Sequence, residues 1–186
     1  VPSTATTRRQ LCAGLETEAY IAGKLIRVPK HSPVIEAYGS IEEAEALLAR
    51  ARLGLEARGE KDLAKRLEKL QQATRLVPIL LAGAATLKEI TGLVEEAEKG
   101  LEDPWGWSLT GCAPEDPDIM LAATRLRAAE RSITRASLEE GTVPSSLAAL
   151  VSEALTRIAY ALYKIHWRLC SREAKAKTSR ELIKRQ

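Results

Sequence analysis

The stretch Ser40–Gly59, "SIEEAEALLARARLGLEARG", sets the class of fold. Ile41, Ala44, Leu47, Leu48, Ala51 and Leu55 recur at spacings of three and four, which stacks them on one face of a helix and on neither face of a strand. Ser40 followed by Glu43 reads as a capping box, so a helix is expected to start at Ser40 and to stop at Gly59. The same spacing returns four times. Leu63, Leu67, Leu70, Thr74, Val77 and Leu81 form a second stripe, which Pro78 is expected to kink or restart. Leu87, Ile90, Val94, Ala97 and Leu101 form a third. A fourth helix is expected from about Asp118 to Glu139, ahead of Gly141. A fifth begins near Pro144 and Ser145 and carries Leu147, Leu150, Val151, Ala154, Ile158, Ala161, Leu162, Ile165 and Leu169 on one stripe. The expected fold is all-α, a five-helix up-and-down bundle with ferritin-like packing.

Composition agrees. The 186 residues are 45% hydrophobic and 28% charged, enough for one buried core. Ala, Leu, Glu, Arg and Lys dominate, and Phe and Asn are absent. With a single Met as well, thermolabile residues are depleted, which points to a thermophilic source. One domain is expected, with residues 1–39 as an N-terminal arm, 40–170 as the bundle and 171–186 as a basic C-terminal extension.

Cys12, Cys112 and Cys170 are odd in number and far apart, with no C-x-x-C pair, so neither a disulfide framework nor a zinc site is indicated. Free thiols in a reducing cytoplasm are expected. The longest apolar run, "LVPILLAGAA", is far too short to span a bilayer, and "VPSTATTRRQ" lacks an apolar signal core. A cytoplasmic protein without membrane contact follows. The net charge of +3 is spread among alternating acids and bases, which argues against a nucleic-acid partner.

The common catalytic motifs are missing: no phosphate-binding glycine loop, no H-E-x-x-H and no serine elbow. His31 and His166 stand alone and read as structural or surface residues. Two segments carry more information. "RVPKHSPVIEAYGS" (Arg27–Ser40) is a basic, proline-stiffened arm ahead of the bundle. In the fourth helix, Arg127, Glu130, Arg131 and Thr134 share a face at i, i+3, i+4 and i+7, so two guanidiniums flank a carboxylate. Such a fork suits phosphate oxygens, although a surface salt-bridge ladder has the same spacing.

Together these segments resemble the trimeric, propanediol-utilisation type of ATP:cob(I)alamin adenosyltransferase. The family arm R-V-x-K-D-x-P-x-x-E-A-Y-G-[ST]-x-D-E-L-N is matched without a gap by "RVPKHSPVIEAYGSIEEAE". Its I-Q-N-D-L is answered by "LQQAT", its F-I-L-P-G-G loop by "WSLTGCA" and its R-R-A-E-R by "RAAER", in the same order from about Cys12 to Arg168. The resemblance implies a homotrimer that binds Mg-ATP at the clefts between subunits, using the arm and the basic helix, and transfers the 5′-deoxyadenosyl group to cob(I)alamin with release of triphosphate. It implies Thr17, Lys30, Glu36, Arg127, Glu130 and Arg131 as the ATP-binding set, and Arg127, Glu130 and Trp107 as the residues of the reaction. Nucleotide and corrinoid are the implied ligands, with cobalamin as substrate, Mg2+ accompanying ATP and no resident metal.

The chain also departs from the family. The phosphate-cradling T-x-x-G-D-x-G-x-T falls near "RRQLCAGLET", where Thr17 remains but the Asp and two glycines do not. Glu42 replaces an Asp whose partner arginine, in the next subunit, aligns with Ala123; Arg125 lies about 200° round the helix from it. Glu153 and Arg157 replace an amide and an acid in the fifth helix. The alternative function is therefore a non-catalytic trimeric homologue that binds nucleotide, corrinoid or a protein partner.

Overall fold

A computed structural model describes residues 14–106 and 108–173. It contains an N-terminal hairpin, β1 (Glu16–Ile21) and β2 (Lys24–Pro29), followed by α1 (Pro33–Ala57), α2 (Lys61–Leu81), α3 (Leu87–Glu98), α4 (Asp116–Leu138) and α5 (Ser145–Glu173). The expected helical class holds, with a two-stranded sheet added to it. Helices α1, α2, α5 and α4 contact one another in a ring, and α3 packs on α2 and α5. Leu48, Leu55, Leu67, Leu70, Ile119, Leu126, Ile133, Leu155 and Ile158 are fully buried at the centre. Leu48, Leu55, Leu67, Leu70 and Ile158 come from the expected apolar stripes, while Ile119, Leu126, Ile133 and Leu155 add core positions that the stripes did not include; their burial outweighs the modest intrinsic helix propensity.

The start of α1 differs from expectation. The helix begins at Pro33, and Ser40, the expected cap, lies inside it with 9% exposure. Proline suits the first helical position because its φ is already set and its missing N–H leaves no donor unmet. The carbonyl of Ser32 accepts from the amides of Ile35 and Glu36, and Val34 and Ala37 extend the buried stripe about two turns upstream. Pro78 neither restarts nor ends α2, which runs on to Leu81.

Part of the expected irregular arm is an antiparallel hairpin. "ETEAYI" and "KLIRVP" pair from Glu16↔Pro29 to Ile21↔Lys24, with Ala19, Ile21 and Val28 turned inward. The two-residue connection, Ala22 and Gly23, has φ of 49° and 77°, the backbone of a type I′ turn. Its amides donate to the carbonyls of Leu81 and Ala82 at 3.0 and 2.8 Å, so the turn satisfies acceptors that the end of α2 leaves open. Tyr38 donates its hydroxyl to the Tyr20 carbonyl at 3.1 Å and ties the hairpin to α1.

Candidate active site

Arg127, Arg131 and Arg135 lie one turn apart on the exposed face of α4. No ion pair of Arg127 or Arg131 is found among the described residues. Glu130, expected to orient them, accepts instead from the hydroxyls of Ser152 and Thr156 on α5, at 2.6 and 3.0 Å. The two guanidiniums are thus left to face solvent, beside a carboxylate whose position α5 holds. Arg135 pairs with Glu36 of α1 at 2.5 Å.

Arg127 stands where two concavities meet. One is a groove of about 320 Å³ lined by Arg127, Glu130, Arg131, Thr156 and Tyr160. The other is a cavity of about 580 Å³ whose walls include Trp105, Gly106, Met120, Ala123, Arg127, Tyr160 and Tyr163. The first carries two arginines beside one carboxylate, and the second is walled mainly by aromatic and small apolar side chains. Ala123 adds only a methyl group to the wall of the second, and Arg125 is engaged with Glu43 at 2.6 Å.

The loop between α3 and α4 closes the cavity, and α5 holds it. Tyr163 donates to the Gly106 carbonyl at 2.8 Å and accepts from the Ser108 amide at 3.2 Å. Trp105 meets Trp167 edge to face, with ring centroids 5.2 Å apart. Lys164 reaches Asp103 at 2.9 Å and Glu98 at 3.4 Å while lying 5.1 Å from the centre of the Tyr160 ring. Burial works to lower the Lys164 pKa, but its hydrogen bond to Asp103 and the charges of Glu98 and Asp103 hold it above the ordinary lysine range. Asp103 is correspondingly held low, chiefly by its hydrogen bond to Lys164.

Beneath this loop, two of the expected free thiols are joined: Cys112 and Cys170 form a disulfide. Their separation of 58 residues hid the pair, because only packing of the loop against α5 brings their Cα atoms to 5.2 Å. Cys12 lies outside the described residues. His166, fully buried and so not a surface residue, places its ring nitrogens against Asp116 and Ser108. Burial works to raise the Asp116 carboxyl, but the His166 hydrogen bond and the Gly111 and Cys112 amides outweigh it and hold the group below the usual aspartate range.

Of the residues singled out in the sequence, Arg127, Glu130 and Arg131 line one groove. Thr17 lies in β1 opposite Val28, Lys30 directly follows β2 and Glu36 is in the first turn of α1. The Glu36–Arg135 pair ties that turn to α4 one helical turn beyond Arg131. Trp107 and the basic segment 174–186 lie outside the described residues. The family model described as Cobalamin adenosyltransferase matches residues 16–169, from the hairpin to the end of α5. The chain belongs to the cobalamin adenosyltransferase family. No curated protein matches it. Family membership makes cobalamin and a nucleotide the ligands to be placed, and the apolar cavity and the cationic groove offer contrasting environments for them. Sequence reasoning missed Tyr160, Tyr163 and Trp105 as cavity walls and Asp116 as the partner of His166. The i, i+4 spacings of Cys112 with Asp116 and of His166 with Cys170 were the available signal.

Proposed function

We propose that this member of the family transfers the 5′-deoxyadenosyl group of Mg-ATP to the cobalt of cob(I)alamin and releases triphosphate. The observation that supports it is the position of Arg127, shared by the cationic groove and the apolar cavity. A polyphosphate in the groove would leave the adenosyl carbon at the mouth of a cavity with aromatic walls. In the transfer the reduced cobalt attacks C5′, a cobalt–carbon bond forms, and the C5′–O bond breaks with its electron pair departing on triphosphate.

Arg127 and Arg131 neutralise the charge that grows on that leaving group, and Glu130, held by Ser152 and Thr156 on α5, is kept from pairing with them, so both guanidiniums are free for phosphate oxygens. Thr17, Lys30 and Glu36 are assigned to the nucleotide through the family motif. Among the described residues Glu130 is the one carboxylate lining the groove, and its partners are two hydroxyls. That does not form a divalent-cation site, so Mg2+ is assigned to the polyphosphate. Trp107 is assigned to exclude water and the lower ligand base from cobalt.

The active form is proposed as a homotrimer with nucleotide at the subunit clefts. Exposed Leu53, Leu121 and Leu150 are apolar surface available to such contacts. A cytoplasmic, thermophilic setting accommodates the disulfide, since intracellular proteins of hyperthermophiles are known to carry them. No helix among the described residues is long and apolar enough to cross a membrane.

The test is a single-turnover assay with Mg-ATP and chemically reduced cobalamin, following both the cobalt–carbon product and triphosphate. Equal yields of the two are expected, and Trp107→Ala should lower transfer far more than ATP affinity or melting temperature. Binding of either ligand without transfer would establish the non-catalytic homologue instead.

A further inference from the structure

We propose that Cys112, Asp116, His166 and Cys170 form, once the disulfide is reduced, a tetrahedral site for one zinc-class divalent cation, and that the Cys112–Cys170 bond is the metal-free, oxidised state of the same cluster. One donor atom from each residue lies within 4.8 Å of all the others. Tetrahedral zinc with two sulfur, one nitrogen and one oxygen ligand sets donors roughly 3.2–3.8 Å apart, so small side-chain movements and an open S–S bond reach that geometry. Asp116, His166 and Cys170 are buried and Cys112 is half-buried, which keeps competing water away.

The surrounding contacts favour ligation over a disulfide alone. His166 turns Nδ1 toward the cluster, 3.5 Å from Cys170 Sγ and against Asp116 Oδ1, while Nε2 meets Ser108 Oγ outside it. A ligating imidazole needs its second nitrogen fixed in this way. Asp116 likewise commits Oδ2 to the amides of Gly111 and Cys112 and keeps Oδ1 for the centre. A disulfide by itself requires no buried carboxylate and imidazole beside it, and burying them is unfavourable unless they act together.

A dithiol reductant gives two electrons and two protons to the S–S bond and becomes a disulfide itself. Cation binding then releases the two thiol protons. An imidazole that ligates through Nδ1 carries its proton on Nε2, where Ser108 Oγ stands to accept it. In either state the cluster joins the loop that carries Trp105 and Gly106 to the end of α5, so cavity shape persists across redox conditions.

The experiment titrates the purified full chain, reduced with a phosphine and freed of metal, with Co2+ and then with Zn2+. One equivalent of Co2+ should produce thiolate-to-cobalt charge transfer and intense tetrahedral d–d bands, which Zn2+ abolishes. The oxidised chain should show neither. Cys112→Ser should weaken binding at least 100-fold with an unchanged circular dichroism spectrum. If the reduced chain unfolds and refolds on adding Zn2+, the site stands. Absence of thiolate–cobalt absorption, undiminished binding by Cys112→Ser and Cys170→Ser together, or a reduced chain that stays unfolded with Zn2+ would each overturn it.

Discussion

Glu36 and Arg135 stand 99 residues apart in the sequence, and their side chains meet at 2.5 Å. The pair joins the first turn of α1, just after the hairpin, to the basic face of α4 one turn beyond Arg131. Both side chains are about half exposed, at 57% and 47%, so solvent screens the pair and its contribution to stability is small, about 0.2–1 kcal/mol. Its consequence is positional. Glu36→Gln is expected to leave the melting temperature nearly unchanged and to weaken ATP binding, read by calorimetry. A double-mutant cycle with Arg135→Ala should show the two residues coupled in ATP affinity.

Arg127 and Arg131 face solvent and carry little of the fold. Arg127→Ala and Arg131→Ala are each expected to weaken Mg-ATP binding by roughly 1–3 kcal/mol, the loss of a charge-assisted hydrogen bond, with thermal melts that superimpose on the parent. Equal ATP affinity in the parent and the double variant would mean that the basic face serves solvation alone.

Gly54 tests packing between α1 and the start of α4. A Cβ there would lie 2.7 Å from Glu115 Cγ, and Glu115 is itself buried and paired with Arg58 at 2.7 Å. Alanine would gain about 1 kcal/mol of helix propensity but force Glu115 away from its partner. Overpacking and the disturbed buried carboxylate outweigh that gain, and Gly54→Ala is expected to destabilise by about 1–3 kcal/mol in urea unfolding.

Asp103, Lys164 and Glu98 brace the cavity rim, and their linkage has two arms. Asp103 is held low, so its contribution is present above the ordinary aspartate value and fades as pH falls below about 3.9. Lys164 is held high, so its contribution is complete below the ordinary lysine value and fades as pH rises beyond about 10.4 through its raised pKa. Asp103 is three-quarters exposed, which keeps the effect small. Thermal melts of the parent and Asp103→Asn across pH should differ slightly on the plateau and converge at both extremes. A difference that persists in strong acid would contradict this account.

The existence of the five helices, their apolar faces and the family resemblance were legible in the chain alone, because each rests on spacing or contiguous residues within a short segment. Ile41, Ala44, Leu48 and Leu55 point to a helix wherever the rest of the chain goes, and "RVPKHSPVIEAYGS" carries its resemblance in contiguous residues. Arg127, Glu130 and Arg131 were placed on one face for the same reason. Tertiary structure decided which partners those faces meet. Ser40 lost its capping role because Pro33 begins the helix about two turns earlier, over a buried stripe that already includes Val34 and Ala37. Glu130 could satisfy its carboxylate on Arg127 or Arg131 locally, and packing of α4 on α5 offered Ser152 and Thr156 instead. Cys112 found Cys170, and Asp116 found His166, across more than fifty and about fifty residues respectively, over a loop and two helices that no periodicity connects. Local propensity repeats along the chain and can be read there, whereas contacts between distant segments exist only once burial of the common core has fixed their relative positions.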